Sequence, residues 1–342
     1  MHKVEKIQRA IKGEQLPEVP FSFWTHMPKI DRDPEKIAEA TYQLYKEYNL
    51  DFIKTMNNGM YAVEDYGTTI DFSEVAEGGV AEVIETPVRC YSDWSKIPEL
   101  SIDEGVLKRE LDHLEKLVEK MNGEAPVVMT IFSPLTTADK LAQGKISDYL
   151  KQDQDGLIHQ ALEKITAATA KLAERAVEMG AASIYLASQM SSYDKLSEAV
   201  YKQYGVPYDL KVLEGAKDGW FNALHAHGEN IMFDVLKDYP VEVFNWHAWE
   251  TLPAVQEEGI DFTQKCVLGG IARMDITHNN RNELRHQIYC SILESEGKNL
   301  ILSPGCGIRH PFEEDTIRFM QKVKHEAEQV LSKKNNNLLT RN

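Results

Sequence analysis

The sequence predicts a single-domain α/β fold, a (β/α)8 TIM barrel, and three observations lead there. Short apolar runs alternate with longer amphipathic stretches along most of the chain, giving eight strand signals. The runs are apolar on both faces, as parallel strands are when helices cover them. The competing fold, an open doubly wound sheet, announces itself with a glycine-rich turn after its first strand, and "FWTHMPKID" is not such a turn. No composition break or Pro/Ser linker divides the chain. One barrel is therefore expected over residues 1–334, followed by a polar tail at 335–342.

The elements follow in order. Val19 to Met27 reads as the first strand. "DPEKIAEATYQLYKEYN" then reads as a helix, with Pro34 in its first turn and an apolar stripe through Ile37, Ala40, Leu44, Tyr45 and Tyr48. Leu50 to Met56 is the second strand. An irregular, lid-like excursion follows from Asn57 to about Pro98, where "GTTIDF" and "GGVAEVIETPV" suggest a hairpin. Ser101 and Glu104 have capping-box spacing at the head of the next helix. Ala125 to Ser133 is the third strand, and the long helix after it is closed by Gly180. The remaining strands run over Ala182 to Ser188, Trp220 to His227, Val241 to His247, Lys265 to Ile271 and Leu300 to Gly305. Helices are expected between them, including a short one in "TLPAVQEEG", and a last one begins at "FEED".

The net charge of −16 argues against nonspecific binding to nucleic acid or to an anionic membrane. Cys90, Cys266, Cys290 and Cys306 are scattered with no CxxC pair, which fits a reducing, cytoplasmic location better than a disulfide framework. The first residues lack the apolar core of a signal peptide, and no window approaches the roughly 20 apolar residues of a membrane span.

Chemistry in such a barrel gathers where strands end. Polar residues collect there: His26, Asn57, Gln189, His225, His227, Asn245, His247 and Cys306. His225 and His227 stand two apart on a strand, so both point the same way, and Gly228 lets the backbone turn off behind them. A thiolate from Cys306 would complete a His2Cys set with an open fourth position, the pattern of catalytic zinc. Taken alone, the pair also reads as ordinary rim histidines, and Cys306 as a buried small side chain. His26 and His247 are candidates for acid/base work, as is the Asp71 carboxylate on the excursion. Asn57, Gln189 and Asn245 are candidates for binding substrate. Lys54 reads either as a pocket cation or as an ion-paired core residue.

At these residues the sequence resembles the uroporphyrinogen decarboxylase superfamily. "GCGIRHPFEEDTIRFMQKV" is similar to its C-terminal motif, and "PFSFWTHMP", "DYGTTIDF", "GAASIYLASQ" and "CVLGGI" follow in the order of its blocks. The Arg-rich N-terminal signature of true uroporphyrinogen decarboxylases is missing, and His26 stands about where its first Arg would be. The other branch, the methylcobamide:thiol methyltransferases, carries a His-x-Cys-Gly motif and a distant Gly-Cys-Gly. "LHAHG" resembles the first with His227 in place of the middle Cys, and Cys306 matches the distal thiol.

The resemblance to this branch implies a zinc-dependent enzyme moving a methyl group between a corrinoid and a thiol or similar small acceptor. Zinc would stabilise the acceptor as a thiolate, which attacks the methyl group on cobalt. "DITHNN" is not a corrinoid-binding motif, so the corrinoid is expected on a separate protein. The partners expected are that protein and a small-molecule substrate, with a homodimer allowed and neither nucleic acid nor membrane. Two alternatives stay open: a decarboxylase of a tetrapyrrole or another carboxylated small molecule, and a non-catalytic barrel that binds a small ligand.

Overall fold

The apolar runs form the wall of a barrel. The computed structural model describes residues 1–75, 81–251 and 264–339. Among the described residues the strands are β1 (Ile53–Lys54), β2 (Thr69–Asp71), β3 (Glu82–Glu85), β4 (Val127–Phe132), β5 (Ser183–Ser188), β6 (Ala223–Ala226), β7 (Val243–Trp246), β8 (Cys266–Ile271) and β9 (Leu300–Pro304). Seven of them pair in parallel in the order β1-β4-β5-β6-β7-β8-β9.

The segment expected as the first strand closes the wall between β9 and β1, but as two isolated parallel bridges, Phe21 to Leu302 and Thr25 to Ile308. The physical reason is that its backbone donors are spent elsewhere. Val19 N–H donates to the Glu328 carboxylate at 2.6 Å and Phe21 N–H to the Asp51 carboxylate at 2.8 Å. Pro20 has no N–H to offer. Buried Lys6 neutralises Asp51 at 3.0 Å.

Strand alternation sorts the side chains into two cores. Leu186, Leu224, Phe244, Val267 and Leu300 are register partners in turn and pack outward against the helices. Tyr185, Ala223, Val243 and Cys266 are likewise partners and fill the interior with Trp24, Phe52 and Phe221. The next inward-facing row toward the strand ends holds Phe132, Ala187, His225 and Asn245. That row carries the chemistry.

Helices cover the outside. Pro34–Tyr48 starts as expected, with Pro34 in its first turn and the Asp33 side chain accepting from Lys36 N–H. The Gly105–Met121 helix differs from expectation: Ser101 and Glu104 make no capping box. Instead Asp65 reaches across and accepts from the N–H groups of Val106 and Leu107 at 2.8 and 3.0 Å. Helices Lys3–Ile11, Pro134–Leu141, Glu198–Tyr204 and Arg273–Thr277 add to those read from the sequence. β2 and β3 form an antiparallel hairpin within the excursion after β1. The helix read in "TLPAVQEEG" falls outside the described residues but for Thr251. The last helix, Glu314–Leu339, runs on into the segment read as a tail. Among the described residues no helix is long and apolar enough to cross a membrane.

Candidate metal centre and cavity

His225 lies in β6 and is 3% exposed, and His227 follows two residues on with its N–H bonded to Ser188 O at 2.9 Å. Alternation keeps both rings on the inner face, with His225 Nε2 only 3.3 Å from His227 Nδ1. Gly228, at φ +101°, then takes the chain away in a conformation that side-chain-bearing residues rarely adopt. His247, just past β7, brings a third imidazole, 4.6 Å from His227 and 5.6 Å from His225 between ring centres. Cys306 arrives from the end of β9. It can come this close because Gly305 has no side chain: a Cβ there would sit 2.5 Å from Trp246 O and 2.8 Å from His247 Cα. One ligand atom from each of His225, His227, His247 and Cys306 lies within 4.8 Å of all the others.

The first ring is oriented from behind. Asn245 Nδ2 donates to Leu268 O at 2.5 Å, which turns its Oδ1 toward His225. That oxygen accepts from Tyr185 O–H at 2.6 Å and from His225 Nδ1–H. His225 therefore carries its proton on Nδ1 and presents the Nε2 lone pair to the cluster. The Tyr185 ring stacks on the imidazole at 5.3 Å.

Burial sets the protonation states. It holds His225 well below the usual histidine range, helped by His227 and His247. Burial and then the nearby Arg273 cation bring His227 down to about 4. Burial, His227 and Arg273 bring His247 to about 3. All three are neutral near pH 7, the form that binds a metal. His247 Nε2 is buried and has no hydrogen-bond partner among the described residues, so it too has a lone pair to give. Burial pushes the Cys306 thiol up, while Arg273 and Lys54 pull it down. Three neutral imidazoles and one thiol are donors that suit zinc, so the residues fit that ion.

The cluster edges a cavity of about 410 Å³. Its wall includes Lys54, Lys140, Arg273 and Arg309 and, among the described residues, no carboxylate. Burial lowers Lys54 to about 7 and Lys140 to about 8. Arg273 also lies 3.4 Å from the Glu250 carboxylate.

The model of the uroporphyrinogen decarboxylase (URO-D) family matches residues 3–327. The chain belongs to the URO-D family. Curated relatives of the chain include two kinds of enzyme. The methylcobamide:CoM methyltransferase MtbA of Methanosarcina mazei is 23% identical over 205 residues, 60% of this chain and 58% of that protein. The uroporphyrinogen decarboxylase of Bordetella pertussis is 24% identical over 190 residues, 54% of this chain and 51% of that protein. The chain thus spans just over half the length of each. A solved methyltransferase from Methanosarcina mazei superposes with a TM-score of 0.81 at 18% identity, covering 95% of this chain and 99% of that one. That agreement extends over the whole barrel and shows the fold.

The fold places the site residues predicted from the sequence unequally. His225, His227 and Cys306 come together. His247, expected as an acid/base group, joins them as a fourth donor. Asn245, expected to bind substrate, is fully buried and does not line the cavity; it serves His225 instead. Asn57 and Gln189 do line the cavity. The Asn57 amide is already engaged, accepting from Thr55 Oγ1 at 2.7 Å and donating to the Glu110 carboxylate at 2.5 Å. His26 stands exposed on the cavity rim. Asp71 is not brought to the cavity: it is exposed on the β2–β3 hairpin and accepts from Ser73 N–H at 2.8 Å, an ordinary turn bond. Lys140, Arg273 and Arg309 were missed by sequence reasoning. Arg273 and Arg309 follow the ends of β8 and β9, so the strand-end rule reaches them. Lys140 sits on the Pro134–Leu141 helix, whose signal is the Ser133–Pro134 cap.

Proposed function

We propose that this protein is a metal-dependent methyltransferase that moves a methyl group between a corrinoid, carried on a separate protein, and a small thiol-type acceptor. The observation that carries the reading is the convergence of His225, His227, His247 and Cys306 at the edge of a cavity of small-molecule size. Methyltransferases among the family relatives support it. A bound zinc ion would supply the Lewis acidity that keeps a thiol ionised near neutral pH. The protein's own residues supply the rest. His225, His227 and Cys306 would hold the ion, leaving a position that His247 or the acceptor thiol can fill. Asn245 fixes the His225 tautomer, and Tyr185 holds Asn245. Arg273 and Lys54 favour negative charge at the cluster.

The test uses protein purified without a histidine tag. Near-stoichiometric zinc is expected, with loss in Cys306→Ala, together with demethylation of methylcobalamin when a small thiol is supplied. Protein that takes up no metal, or metal-free protein that releases carbon dioxide from uroporphyrinogen, overturns the reading in favour of decarboxylation.

A further inference from the structure

Phe132 ends β4, is partly buried, and has a space on either side of it. On one side is the cavity of about 410 Å³ beside the metal cluster. On the other is a void of about 20 Å³ between the barrel wall and the helices, lined mainly by Leu107, Ile131, Ala168 and Leu172. Among the described residues, Phe132 alone lines both. Its ring is held from each side. Lys140, which lines only the larger space, sets its Nζ over the ring at 4.8 Å. Tyr61, which lines only the smaller, packs its own ring at 5.6 Å.

The void is the feature that folding does not explain. Protein interiors pack to the density of organic crystals, and atoms facing an open space lose their contacts. The hydroxyls of Tyr61 and Thr169 on its wall already donate to Thr130 O at 3.1 Å and Ile165 O at 2.7 Å, so the space suits an apolar group. Register sets Phe132 level with the metal cluster. Phe132 pairs with Ala187, and Ala187 with His225, all on the inner face. Ala187 is small and lines the cavity, so a groove one strand wide runs between the Phe132 and His225 side chains. The backbones of β4 and β6 stand about 10 Å apart, and a ring from each takes up part of that width.

We propose that Phe132 is a specificity-determining partition. Its ring closes the groove over Ala187 to any ligand broader than an unbranched aliphatic chain, and the recess behind it is where an aryl or branched group would go. The ligand class is a small acceptor with a slender aliphatic body. This rests on the proposed use of the cavity as an acceptor site, but not on metal binding or methyl transfer.

The experiment alkylates Cys306, which lines the same cavity, in metal-stripped full-length protein. Iodoacetamide is compared with N-benzyliodoacetamide. In both cases the sulfur displaces iodide: the S–C bond forms as the C–I bond breaks, and the thiol proton passes to solvent. Peptide mass spectrometry reads the rate at each cysteine, and exposed Cys90 gives the intrinsic preference between the reagents in the same molecule. Wild-type Cys306 should favour iodoacetamide by about tenfold or more beyond the Cys90 ratio, the consequence of overpacking by one ring. Phe132→Ala should bring the two ratios together, with Phe132→Leu between. A general loosening of the fold would speed both reagents alike and leave the Cys306 ratio where it was. A wild-type Cys306 ratio equal to that of Cys90 would overturn the proposal, as would a ratio that survives in folded Phe132→Ala. If Phe132→Ala does not fold, an unchanged ratio in Phe132→Leu does the same. Because the labelling needs neither metal nor methyl donor, such a failure leaves the methyltransferase reading standing. Native protein without metal that still shows the expected ratios would overturn that reading alone.

Discussion

Replacing Asn245 with leucine keeps the branched shape of the side chain but enlarges it and removes an acceptor that two groups share. In the wild type, Oδ1 takes Tyr185 O–H at 2.6 Å and His225 Nδ1–H, while Nδ2 donates to Leu268 O at 2.5 Å. Asn245 is 0% exposed, so water cannot step in without opening the barrel. Each orphaned buried group costs about 1–3 kcal/mol, and three are created, partly offset by the apolar side chain. The variant should therefore lose several kcal/mol on chemical denaturation. The sharper consequence is for the metal. Without its acceptor, His225 is free to move its proton to Nε2 and withdraw the lone pair from the cluster. Losing an outer hydrogen-bond partner of this kind weakens metal affinity by about 10–100-fold. A competitive zinc titration against a chromophoric chelator measures this directly. Asn245→Asp keeps an acceptor in the same place and should retain zinc within about that margin. If Asn245→Leu folds and binds zinc as tightly as wild type, the argument that Asn245 sets the His225 tautomer is wrong.

Three further predictions address the rest of the structure. Gly305→Ala puts a methyl 2.5 Å from Trp246 O and 2.8 Å from His247 Cα, so β9 must back away; overpacking should cost about 1–3 kcal/mol and carry Cys306 out of ligand range, read as lost zinc stoichiometry. Asp71→Asn changes an exposed turn carboxylate and should shift stability by less than about 0.5 kcal/mol, with zinc binding unchanged; a large loss of turnover would restore the catalytic role once expected for it. Asp209 is fully buried against the Tyr201 and Tyr239 hydroxyls, and burial raises it to about 7. Between about pH 4 and 7 the unfolded chain has released this proton and the folded chain has not, so stability falls as pH rises, by at most about 4 kcal/mol. Asp209→Asn should flatten that slope in urea melts at pH 5 and pH 8; parallel slopes for the two proteins would refute the assignment.

The parts of this architecture that were legible in the sequence are those whose signals are local. Parallel strands under helices are continuous apolar runs, so the barrel wall could be read with ends displaced by a few residues. The inward pairing of His225 with His227 follows from alternation alone. Signals that depend on distant groups were lost. Nothing near Val19 or Phe21 reveals that Glu328 and Asp51 take their N–H groups and break the first strand into bridges. Nothing near Ser101 reveals that Asp65 caps the helix in its place. A polar residue at a strand end reads the same whether it faces a ligand or a neighbouring ring, which is why Asn245 was assigned to substrate. Asp71 could not be placed because a hairpin residue has no buried face to declare which way it points.

The presence of His227 where the motif that the sequence resembles would have a second thiol bears on the proposed chemistry. A divalent ion held by two thiolates would be charge-neutral before any acceptor arrives. Held by three neutral imidazoles and the Cys306 thiolate, it would keep one net positive charge, with Lys54 and Arg273 adding to the field. In a low-dielectric cavity such an excess is costly until an anion enters. An acceptor whose thiol ionises on binding supplies that charge. A neutral thiol should therefore bind only after zinc is loaded, and one that binds equally well without metal would contradict this reading.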